Sequence, residues 1–122
     1  MTISSKIGFG KKVSGQIVVF GEHGKELSSR NLTDELEGKI VVFLKFAPKE
    51  FIEKAGFLGA VGIVTPSMHF REFEYFSKSA DFSLLLLMKF GRLDFPEELA
   101  KKLLSPGEKK GELDGENKSL TI

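Results

Sequence analysis

Residues 39–46 (KIVVFLKF) form an apolar, β-branched run with almost no polar interruption. A strand with one side in water alternates apolar and polar residues. An unbroken run instead predicts a strand buried on both faces, as inside a parallel sheet covered by helices. Pro48 follows as a first-turn helix residue. Behind it Phe51, Ile52, Ala55 and Leu58 recur at helical spacing, while Lys49, Glu50, Glu53 and Lys54 take the opposite side. Gly56 and Gly59 loosen the last turn, and residues 60–64 read as the next strand. Strand, helix and strand with short connections predict a right-handed parallel crossover.

The rest of the chain extends this unit. Residues 16–20, bounded by Gly15 and Gly21, predict an earlier strand. Phe70, Phe73 and Phe76 share one face of a second short helix, and residues 82–88 form another buried strand. Pro96 opens a third helix striped by Leu99, Ala100 and Leu103 and stopped at Ser105-Pro106-Gly107. Asp114-Gly115 marks a hairpin between residues 111–113 and 118–122. At 122 residues the chain suits one α/β domain, 1–122, with its parallel core between Lys39 and Met88. The terminal strands are expected to form a second sheet or to close a barrel-like layer.

Composition excludes several classes. Lys+Arg of 18 against Asp+Glu of 17 leaves a net charge of +1, which disfavours nucleic acid and a basic membrane clamp as partners. Without cysteine there is no thiolate nucleophile and no cysteine-based zinc site. Two histidines without clustered carboxylates predict no metal centre, and no cofactor is expected. Gly56, Gly59 and Gly62 leave a helix and enter a strand, the reverse of a dinucleotide loop. No apolar leader follows Lys6, and residues 84–88 are too short a run to span a bilayer, so a cytoplasmic location is expected. Lysine and glutamate dominate the charges and Gln16, Asn31 and Asn117 are the amides, a composition that predicts heat stability.

At Gly59-Ala60-Val61-Gly62-Ile63-Val64-Thr65 the chain resembles the swivelling β/β/α domain of enzymes that use phosphoenolpyruvate, their mobile phosphohistidine domain. Residues 7–19 resemble that family's opening "SPG-x-x-SGxxVV" segment, and Gly38-Lys39-Ile40-Val41-Val42 its "GDVLV" strand. Residues 111–117 resemble its closing "V-x-V-DG-x-x-G" hairpin. Residues 65–71 read as a loop after the strand at residues 60–64, and His69 stands there ahead of a short helix, where the resemblance implies the phosphorylated histidine. The family places paired glycines and Thr-Ser-His-Ala-Ala there, whereas this chain reads Thr65-Pro66-Ser67-Met68-His69-Phe70-Arg71. A second resemblance is to the protease-associated domain, a non-catalytic interaction module, through residues 38–41, 53–55 and 59–63.

Two functional expectations follow. The first is a non-catalytic protein-interaction module whose contact surface, for a protein partner or a second copy, includes Met68, Phe70 and Tyr75. The second is a phosphohistidine carrier serving a separate enzyme. In it His69 takes and donates a phosphoryl group, Thr65 and Ser67 hydrogen-bond the imidazole, and Arg71 holds a phosphoryl oxygen. His23, in Gly21-Glu22-His23-Gly24, reads as an exposed turn residue.

Overall fold

Alternation in the strands sorts the core into two layers. The computed structural model describes residues 2–21, 30, 32–91 and 109–122. Within them lie eight strands: β1 (Thr2–Ser4), β2 (Ile7–Phe9), β3 (Lys12–Phe20), β4 (Ile40–Phe43), β5 (Gly62–Met68), β6 (Ser83–Phe90), β7 (Lys109–Asp114) and β8 (Ser119–Thr121). Two α-helices, α1 (Lys49–Phe57) and α2 (Phe70–Ser79), join β4 to β5 and β5 to β6. The chain is thus mixed α/β. The expected third helix, after Pro96, and the turn at His23 lie outside the described residues.

All eight strands belong to one sheet in the order β1-β8-β7-β3-β4-β5-β6-β2. The pairs β3–β4, β4–β5 and β5–β6 are parallel, as the apolar runs require. The terminal strands add to this sheet and do not form a second one, which corrects one of the two expectations for them. The ends of the order, β1 and β2, are consecutive in the chain with Ser5 and Lys6 between them. Three residues of chain span roughly 10 Å at most, so the two edges of the sheet are drawn together into an incomplete barrel.

Ile17, Ile40, Val42, Val64, Leu85, Leu113 and Leu120 pack together inside that curl. Their neighbours Val41, Phe43, Ile63, Leu84 and Leu86 point the other way and meet Ile52, Ala55 and Phe76 of the two helices. The run in β4 is apolar throughout because one set of its side chains fills the barrel and the other seats the helices. The hairpin from β7 to β8 turns at Gly115, where a Cβ would overlap the Phe9 carbonyl of β2. Asp114 caps this turn by accepting hydrogen bonds from the backbone N–H of Asn117 (3.0 Å) and from its side-chain amide (2.8 Å). Those donors, the backbone N–H foremost, hold the Asp114 carboxyl below its usual pKa.

Candidate functional site

Parallel α/β sheets place ligands beyond the carboxyl ends of their strands. In this protein that end is formed by residues following β4, β5 and β6, and the sequence motif from Thr65 to Arg71 leads to it. The motif is not a loop. Residues 65–68 continue β5, and the pairing with β6 shifts register between Thr65 and Ser67, on either side of Pro66. Proline has no N–H for a ladder and is accommodated in a central strand at such an irregularity. Ile63 and Met68 pack in the same cluster although they are five residues apart, a spacing that regular alternation would send to opposite faces.

This geometry corrects three site residues and places two others at the surface. Thr65 and Ser67 are fully buried, and the Thr65 hydroxyl donates to the Ser67 carbonyl at 3.4 Å. Met68, expected on a contact surface, is buried under the helices at 1% exposure. His69 is exposed and stands as the N-cap of α2, its carbonyl accepting the N–H groups of Glu72 (3.1 Å) and Phe73 (3.0 Å). Its imidazole makes no cap bond and meets the Phe46 ring edge-on at 5.6 Å between centroids. Arg71 is exposed on the first turn of the same helix. The structure therefore gathers His69 and Arg71 at the surface and withdraws Thr65, Ser67 and Met68 into the core.

Aromatic rings occupy the rest of this end. Phe70 is 56% exposed and contacts Phe90 edge-on at 5.2 Å; Phe90 in turn meets the half-buried Phe73 at 5.4 Å. Tyr75 lies farther along α2, 48% exposed, with the Lys49 ammonium 4.1 Å above its ring. Phe90, Met88 and Phe57 are exposed apolar residues that the sequence reading missed. Phe57 falls off the Ile52–Ala55 stripe of α1, a signal that spacing alone contains. A groove of 330 Å³ runs between the ends of the helices over Gly56, Phe76 and Phe82, with Glu53 and Asp81 on its rim.

Among the described residues no group of three or more histidine, aspartate or glutamate side chains could hold a metal ion, and no helix is long and apolar enough to cross a membrane. Comparison with protein-family models, curated proteins and solved structures finds no significant match.

Proposed function

We propose that the chain is a non-catalytic protein-interaction module with a swivelling-type β/β/α fold. The observation that carries this reading is the exposed Phe70–Phe90 pair at the carboxyl end of the sheet. Exposed aromatics grouped in this way are typical of contact surfaces, where burying each ring contributes on the order of 2 kcal/mol. The burial of Thr65 and Ser67 supports it, because it removes two of the groups that would have oriented a reacting imidazole.

The second reading, a phosphohistidine carrier, draws on one observation: His69 is exposed and sits at the N-terminus of a ten-residue helix, where the dipole favours an anion. Intact-mass measurement at alkaline pH separates the two. After incubation with phosphoenolpyruvate or a nucleoside triphosphate, together with an enzyme that uses phosphoenolpyruvate as the separate phosphoryl-transfer partner, the module keeps its mass. Addition of one phosphoryl group, lost in His69→Ala, would establish the carrier and overturn the module.

A further inference from the structure

The barrel is closed by one strand that changes partner half-way. β1 pairs with β8, and β2 pairs with β6 over residues 84–86. The change occurs at Ser5. Its N–H donates to the Lys118 carbonyl at 2.8 Å, on the β8 side, and its hydroxyl donates to the Leu86 carbonyl, on the β6 side. The same hydroxyl accepts the Ile7 N–H at 3.2 Å. Ser5 therefore fastens the point at which the two edges meet.

Above that point they part. Backbone groups alternate in direction along a strand. Since the Leu86 carbonyl points to the outer edge of β6, so do the N–H and C=O groups of Met88 and Phe90. The Gly91 N–H confirms the alternation by pointing the other way, to Met68 O at 3.0 Å. Since the Ser5 N–H points to β8, those of Thr2 and Ser4 point away from it. These four residues form the two walls of a wedge, and their wall-facing backbone groups have no partner among the described residues.

We propose that this wedge takes an extended segment of a partner protein by strand addition, which rests on the interaction-module reading above. Only another backbone offers donors and acceptors at strand spacing to both walls. A second copy of the chain fits less well, because its only strand edges open in this way among the described residues are the walls of its own wedge. The side chains state what the segment carries. On the helix side it would lie beside Met88, Phe90 and Phe70, and on the barrel side over Ile3 and Leu87, so apolar residues suit both. Lys89 in one wall and Lys6 below it are exposed and ion-paired to no described residue, so a carboxylate belongs in the segment too.

The test uses a displayed library of random linear ten-residue peptides selected on the whole chain. Selected peptides should carry apolar residues and at least one Asp or Glu, and on binding should slow amide exchange at Met88 and Phe90. N-methylation of alternate peptide nitrogens, Met88→Pro and Lys89→Glu should each weaken binding by about tenfold or more. Lys12→Glu, on β3 in the middle of the strand order and three strands from either wall, should leave it unchanged. If Met88→Pro fails to fold, Lys89→Glu and peptide methylation decide. A selection that yields nothing, binding insensitive to these changes, or dimerisation of the chain abolished by Lys89→Glu would each overturn the wedge. Peptides that bind without slowing exchange at Met88 and Phe90 sink the wedge and leave the module standing. A phosphoryl adduct on His69 sinks the module and leaves binding in the wedge untouched.

Discussion

Gly56 of α1 lies against the ring of Phe82 with no side chain between them: a Cβ at Gly56 would stand 2.6 Å from that ring. Moving Phe82 would disturb its packing against Phe9 and Phe76, at 6.4 and 5.8 Å between centroids. Alanine would gain about 1 kcal/mol in helix propensity, whereas overpacking costs about 1–3 kcal/mol. We expect Gly56→Ala to be destabilising on balance. Equilibrium denaturation that showed Gly56→Ala equal to or more stable than the parent would contradict this packing.

Ser5→Ala should cost about 1–3 kcal/mol, because it leaves the Leu86 carbonyl and the Ile7 N–H without the hydroxyl that joins them. Amide exchange should accelerate at Ile7 and Gly8 before it does so in β4. Uniform acceleration across the sheet would mean that Ser5 does not fasten the closure.

The hairpin gives stability a definite pH dependence. The Asp114 carboxyl is held below its usual value by Asn117, so the folded state binds its proton less readily than the unfolded chain. The contribution is therefore complete above the unfolded pKa of about 4 and is lost as pH falls through the lower folded value. Melting temperature followed from pH 6 downwards should fall in that acid window, and less steeply in Asp114→Asn. Identical acid profiles for the two proteins would remove Asp114 from the account.

Exposure separates the aromatics of α2 energetically. Phe70→Ser should cost about 0.5–1.5 kcal/mol, chiefly the edge-on contact with Phe90. Phe76, buried at 2%, should cost about 3–5 kcal/mol on replacement by alanine. Comparable melting temperatures for the two variants would show that Phe70 is held more tightly than its exposure indicates.

The central strands were legible because burial on both faces leaves a mark that needs no tertiary knowledge. The aromatic stripe of α2 was legible by its spacing instead: Phe73 and Phe76 recur at helical spacing and both turn inward. Thr65-Pro66-Ser67 was misread because those residue types favour turns in isolation. Their place in β5 depends on a register shift against β6, a partner some twenty residues away. Met68 followed the same error, since a residue in a loop can face outward but one in this strand cannot. The part of β3 before Gln16 reads as polar and glycine-rich, yet it is strand from Lys12 because β7 pairs with it over Lys12–Ile17. No local pattern could show β1 and β2 meeting opposite ends of one sheet.

That closure bears on the order of events during synthesis. Residues 2–9 are made well before their partners, residues 84–86 and 119–121. The loop-closure entropy of such distant pairings is lost before the contacts repay it. The parallel strands and helices between them can assemble from neighbours in the chain, while β1 waits for β8, which is made more than a hundred residues later. Pulse-labelled amide exchange during refolding should accordingly find Ile3 and Ile7 protected after Val41 and Ile63. Until then the nascent sheet carries two open edges.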